Sequence, residues 1–326
     1  MASSKQLIGM IRSHAAGDED RFLAIAEHIA SDAVRAGHHR MADEIRTLVG
    51  SLRELHSEER PSAEPTLLAA PRGELASLLR ASYPETRLSD IVLTAEVDAK
   101  LRRIVREHRE RHALAASGLQ PRRKLLLSGL PGTGKSMTAA ALAGELGLPL
   151  FTVMLDGLIT KYMGETAAKL RIVFDAMRSA RGVYFFDEVD ALATKRGVEN
   201  DVGEARRMLN SFLQFLDEQA TGSLVVAATN HPELLDRAIF RRFDATILYE
   251  LPGFDLVRRI VTQRLPRFEL DALDWEEVAG AASGLSQADV ANAADDAARD
   301  AVLENAGRIE NATLVDALRE RSHGRS

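Results

Sequence analysis

Between Gly129 and Ser136 the chain reads GLPGTGKS, with a glycine, four intervening residues, a second glycine, a lysine and a hydroxyl. Glycines at that spacing let a backbone curl until successive N–H groups face one point, and a helix starting there adds the positive end of its dipole. The ligand such a cradle suits is a polyphosphate. Pro131, Gly132, Thr133 and Gly134 wrap it, Lys135 reaches its terminal phosphates, Ser136 supplies a magnesium ligand, and Met137 follows in the helix. Chance would place the bare pattern in roughly one chain in a hundred of this length, and its position between an apolar run and an alanine-rich segment lowers that further.

Further on, GVYFFDEVD ends a buried-looking run in Asp187 and Glu188. Adjacent carboxylates at one strand end can divide labour: Asp187 holds magnesium through its water shell, and Glu188 polarises an attacking water as general base. An Asp-Glu pair alone is more often a solvated turn; downstream of a phosphate loop it carries weight. SLVVAATN closes another apolar run with Asn230, a neutral amide suited to orienting water beside a γ-phosphate. In LDRAIFRRFD, Arg241 and Arg242 stand in tandem in a helix-to-strand connection.

These groups need a frame. From about Leu88, short apolar runs (KLLLSGL, LPLFTVM, GVYFFDE, SLVVAATN, ATILYEL) alternate with helical patterns, the rhythm of an α/β parallel sheet covered on both faces. After ELPGF the strands stop, and Asp255 to Arg321 reads as helices broken at Pro266, near Gly280 to Gly284 and at Gly307. Toward the N-terminus, Phe22, Ile25, Ala26 and Ile29 share one helical face, and Met41, Ile45, Leu48 and Leu52 another. The expected organisation is a small N-terminal helical bundle (1–56), a Pro-rich linker (57–87), a large α/β subdomain (88–254) and a C-terminal helical subdomain (255–326).

Composition narrows the function. The 326 residues exceed one typical core. A net charge of -6 argues against a general nucleic-acid binder. With 0 cysteines there is no disulfide framework and no thiolate metal site, which fits a reducing compartment. No apolar run approaches a membrane span, and the first residues lack a long hydrophobic signal core, so a cytoplasmic location is the default expectation. HRERH, from His108 to His112, lacks a glutamate directly after its first histidine, so it departs from the zinc-protease pattern and reads as a solvated helix face.

Together these motifs resemble the AAA+ superfamily, and within it the AAA subfamily that includes katanin, spastin and the ATPases that dismantle ESCRT filaments. The likeness covers about Leu88 to the C-terminus: GLPGTGKS, YFFDEVD, ATN, TNHPELLDRAIFRRFD and the lid motif GLSQADV. It implies ATP and Mg2+ as cofactors. It also implies that Arg241 and Arg242 reach the γ-phosphate of a neighbouring subunit, so that active sites form between subunits of a homo-oligomer, usually a hexamer. SDIVL places Asp90 and Ile91 at the family's adenine-side segment, without its glycine. GLSQADV carries Ala288 where other AAA+ clades place an arginine, and the contiguous arginine pair follows the spastin and katanin pattern. The KYMGET stretch occupies the place of the family's first pore loop, where Lys161, Tyr162, Met163 and Gly164 would line an axial channel; packing of Tyr162 and Met163 against a neighbouring subunit is the alternative. TKRGVENDVGEARR, Thr194 to Arg207, fits a second pore loop or a plain solvated loop. The implied function is a protein remodeller that threads a client polypeptide, with the N-terminal bundle binding client or adaptor. Alternatives are a nucleic-acid loader and a non-threading assembly switch. No protease segment follows the ATPase part in this sequence.

Overall fold

The computed structural model describes residues 29–30, 40–41, 43, 47, 73–158, 165–192, 202–218, 222–304 and 307–323. The chain separates into two compact units, Met1–Pro65 and Thr66–Ser326. In the first, the described residues are helical; Ile29 and Ala30 are buried, whereas Met41, expected on an inward face, is exposed. The rest of the expected bundle lies outside the described residues.

In the second unit a six-stranded sheet runs β1 Leu79–Ser82, β2 Lys124–Gly129, β3 Leu150–Val153, β4 Val183–Phe186, β5 Leu224–Thr229 and β6 Ala245–Tyr249, in the spatial order β1-β3-β4-β5-β2-β6. All neighbours are parallel except β1, which pairs antiparallel with β3. Leu75–Leu78 and β1 therefore correct the reading of 57–87 as linker throughout: Arg80 stands opposite Thr152 and Ser82 opposite Leu150. Strands β4 and β5 are buried along their whole length because both faces are covered. Leu126, Tyr184, Phe186, Val225 and Ala227 point into one core; Leu125, Leu127, Val183, Phe185, Val226 and Ala228 point into the other.

The helices flanking the sheet are α1 Ala95–Arg109, α2 Lys135–Leu146, α3 Glu165–Ser179 and α4 Val202–Glu218. Thr94 caps α1 by accepting the Val97 amide. Its inward stripe is Val97, Leu101, Ile104, Val105 and His108, so His108 corrects the expectation of a solvated face. The ring is 2% exposed, and its Nε2–H donates to the Arg122 carbonyl at 2.7 Å. His112 is exposed.

Beyond β6 come α5 Phe254–Arg264, α6 Trp275–Ala281, α7 Gln287–Glu304 and α8 Asn311–His323. They enclose a third core built from Val257, Val261, Val278, Ala294 and Leu318. Val92 joins this lid core while its neighbours Ile91 and Leu93 join the sheet core, so one short segment is shared between the two subdomains. Among the described residues no helix is long and apolar enough to cross a membrane.

Candidate functional site

At the C-terminal ends of β2, β4 and β5 the sheet and the lid enclose a cavity of about 550 Å³. Its floor is the loop between β2 and α2. Gly129, Gly132 and Gly134 take φ of 155°, 75° and 97°, conformations that a side chain disfavours. A Cβ on Gly132 would lie 2.4 Å from Ser286 Oγ, and one on Gly129 would lie 2.3 Å from the Tyr249 carbonyl. The tight backbone loop that the glycine spacing implies is thus present, pressed against the lid on one side and β6 on the other.

Lys135 is buried, and its Nζ donates to the carbonyls of Gly129 (2.7 Å) and Leu130 (2.8 Å). Burial pushes its ammonium below the ordinary lysine value, while Asp187, Asp190 and Glu188 pull the other way. Ser136 Oγ donates to Asp187 Oδ2 at 3.1 Å, so the two expected magnesium ligands already face each other. Glu188 is the one non-glycine residue with positive φ among the described residues, at 52°. Its carboxylate lies beside Asn230, whose Nδ2 is 3.5 Å from Glu188 Oε1.

Asp187, Glu188, Asn230, Asp90, Ile91, Pro131, Gly132, Gly134, Lys135, Ser136 and Met137 all line this cavity. Thr133 is fully buried beneath the loop, its hydroxyl donating to the Leu130 carbonyl. Arg241 and Arg242 are exposed and do not line the cavity. Arg242 is ion-paired with Asp217 at the end of α4. Lys161 to Gly164 lie outside the described residues, as does the expected second pore loop up to residue 201; from Val202 the chain is α4 rather than loop.

The motif reading missed two groups. Asp190, buried behind the Asp-Glu pair, accepts the Thr229 hydroxyl at 2.8 Å and the Asn230 amide at 3.3 Å, fixing the strand end that presents Asn230. Its signal was the last letter of DEVD. The lid contributes Ile260, Gln263, Arg264, Gln287 and Ala291, with the Ala288 amide donating to the Gly132 carbonyl at 3.0 Å. Ile91, Val92, Ile260, Ala288 and Ala291 form an apolar slot beside a cationic, amide-lined loop. That donor set fits a nucleoside polyphosphate, with Ser136 and Asp187 placed to hold its magnesium.

A glycine-framed phosphate loop at the strand ends of a parallel sheet, a carboxylate pair beside it and a helical lid over it define a P-loop ATPase. Residues 125–251 match the family described as ATPase family associated with various cellular activities (AAA). An AAA family ATPase called y4kL, uncharacterized, from Sinorhizobium fredii is 32% identical over 95% of this chain and 93% of its own length. The ATP-dependent zinc metalloprotease FtsH 4 of Sphaerobacter thermophilus is 35% identical over 74% of this chain, which spans only 38% of that relative. The crystal structure of the FIGL-1 AAA domain superposes over 79% of this chain and 92% of its own with a TM-score of 0.60 at 24% identity, a likeness of fold. The chain belongs to the AAA ATPase family, and its activity is ATP hydrolysis.

Proposed function

We propose that this ATPase is a homo-oligomeric protein remodeller of the katanin and spastin type, using Mg-ATP hydrolysed between subunits to pull on a polypeptide. The observation that carries the shared-site reading is the separation within one subunit. Lys135, Ser136, Asp187, Glu188 and Asn230 converge on one cavity, while Arg241 and Arg242 stand exposed outside it. Within the cavity Arg264 is already paired with Asp295, and Lys135 belongs to the phosphate loop itself, so an arginine supplied by a second copy would add the charge that stabilises the transition state. In this reading Ser136 and Asp187 hold magnesium, Glu188 activates water that Asn230 orients, and the arginine pair acts in trans. The family resemblance implies that such subunits assemble as a ring, usually of six.

Threading is assigned to Tyr162, flanked by Lys161, Met163 and Gly164, and client or adaptor binding to residues 1–56. The acidic net charge and Ala288 favour a protein client over the alternative of a nucleic-acid loader. Absence of cysteine fits a cytoplasmic setting. The test is Tyr162→Ala, with oligomer mass, ATPase rate and client unfolding measured on one preparation. Threading predicts that unfolding is lost while mass and ATPase stay within a few-fold; intact unfolding refutes it. A joint fall in mass and ATPase assigns Tyr162 to subunit packing instead.

A further inference from the structure

The two glycines that frame the phosphate loop are tied to one residue of the neighbouring strand, Gly129 directly and Gly134 through Thr138. Gly129 stands opposite Tyr249 in the β2–β6 register, and the Tyr249 carbonyl occupies the space where a Cβ of Gly129 would go. At the other end of the loop, Thr138 Oγ1 lies 3.0 Å from the Gly134 carbonyl and 2.7 Å from Tyr249 Oη. Thr138 is fully buried and Tyr249 is 5% exposed, so no water competes for these bonds. A threonine hydroxyl has one proton. If it donates to Gly134, the phenol must donate to Thr138, which yields a directed relay Tyr249 O–H to Thr138 O–H to Gly134 C=O. Burial pushes the phenol up to about 12, so it keeps that proton at any working pH.

The relay joins three parts of the machine. Gly134 closes the phosphate cradle. Tyr249 ends β6, whose first residue, Ala245, follows Arg241 and Arg242 by a few positions. Its other end leads through Glu250–Gly253 directly into α5 of the lid. We propose that Tyr249 is a positioning residue for phosphate binding, holding the Gly134 end of the loop through Thr138 and registering it against the strand between the arginine pair and the lid. The proposal rests on the phosphate-loop reading and adds to it a residue that touches no nucleotide.

Tyr249→Phe removes the phenol proton while keeping the ring in its slot. A lost hydrogen bond of ordinary strength weakens the held state by about 2- to 10-fold. We expect ADP, measured by displacement of a fluorescent ADP analogue, to bind about 2- to 10-fold more weakly. AMP, which lacks the β-phosphate that the loop holds, should bind unchanged. Thr138→Val should reproduce the loss, Thr138→Ser should restore it, and the double variant should lose no more than the worse single one. A merely structural role predicts equal losses for ADP and AMP, or additive losses in the double variant; either outcome overturns the proposal. Lys135→Ala run in parallel separates the two levels. If it keeps wild-type ADP affinity, the phosphate-loop reading fails; if it loses ADP while Tyr249→Phe does not, only the positioning role fails.

Discussion

Asp190→Ala tests whether the carboxylate behind the Asp-Glu pair sets the geometry of the catalytic water. Asp190 Oδ1 accepts from the Thr229 hydroxyl at 2.8 Å and the Asn230 amide at 3.3 Å, and both Asp190 and Thr229 are buried. A hydrogen bond to a charged acceptor contributes about 1.5–3 kcal/mol, and a buried donor left without a partner adds its own desolvation. The shorter bond belongs in that range and the longer one below it, so removal should cost about 3–5 kcal/mol. Asp190→Asn keeps an acceptor oxygen and should cost about 1–2 kcal/mol. For a unit of this size each kcal/mol lowers Tm by roughly 2–4 °C. Function should suffer differently. If Asn230 orients the attacking water as proposed, freeing its backbone N–H lets that side chain shift, and a displacement of about 1 Å costs on the order of 10²-fold in rate. Denaturant unfolding and calorimetric ATP titration with a steady-state ATPase assay give the three quantities. Wild-type stability, or a loss of ATP affinity as large as the loss of kcat, would refute the reasoning.

Glu188→Gln should bind Mg-ATP with near-normal affinity but hydrolyse it about 10²- to 10⁴-fold more slowly, because the amide still accepts from Asn230 yet cannot take a proton; normal turnover removes Glu188 from the base role. Arg241→Ala or Arg242→Ala should lose most hydrolysis while leaving nucleotide affinity of an isolated subunit within a few-fold; a large loss of that affinity counts against action in trans. His108 gives a pH signature. Its burial lowers the folded pKa below the ordinary histidine value of about 6.5, the bond to the Arg122 carbonyl opposing, so below that pH the unfolded chain binds a proton that the folded one resists. Its contribution is therefore full above about 6.5 and falls as pH drops, by at most about 1.4 kcal/mol per pH unit. His108→Gln should flatten the stability profile between pH 7 and 5, and an identical slope in both proteins would sink the assignment.

The chemistry was legible because it is local. GLPGTGKS and the DE of DEVD keep their meaning in any frame that puts them at strand ends, and the continuous apolar runs around them announce a sheet covered on both faces. His108 was legible in principle, since it falls on the helical stripe with Leu101 and Ile104; quoting HRERH as an isolated motif hid that periodicity. Strand β1 was not legible. Its four residues, LRAS, carry no strand pattern of their own and become a strand only through pairing with Leu150–Val153.

The segment SDIVL shows why the lid half of the site was the harder part to read. From sequence it stood out for the missing glycine. In the fold, Ser89 and Asp90 close a 3₁₀ turn that starts at Leu88, and the next three residues alternate as extended chain does: Ile91 and Leu93 into the sheet core, Val92 into the lid core. Arg259 of α5 reaches back to donate to the Leu93 carbonyl at 2.9 Å, and Gln263 lies 3.5 Å from the Ser89 carbonyl. The segment that lines the cavity with Asp90 and Ile91 is therefore also the one that the lid grips. Alternation of apolar residues says only that two faces are buried; which two depends on a helix more than 160 residues later in the chain. Any change in lid angle must move Val92 with the lid or tear it from that core while Ile91 and Leu93 stay packed on the sheet, so the slot beside the phosphate loop changes shape with the lid.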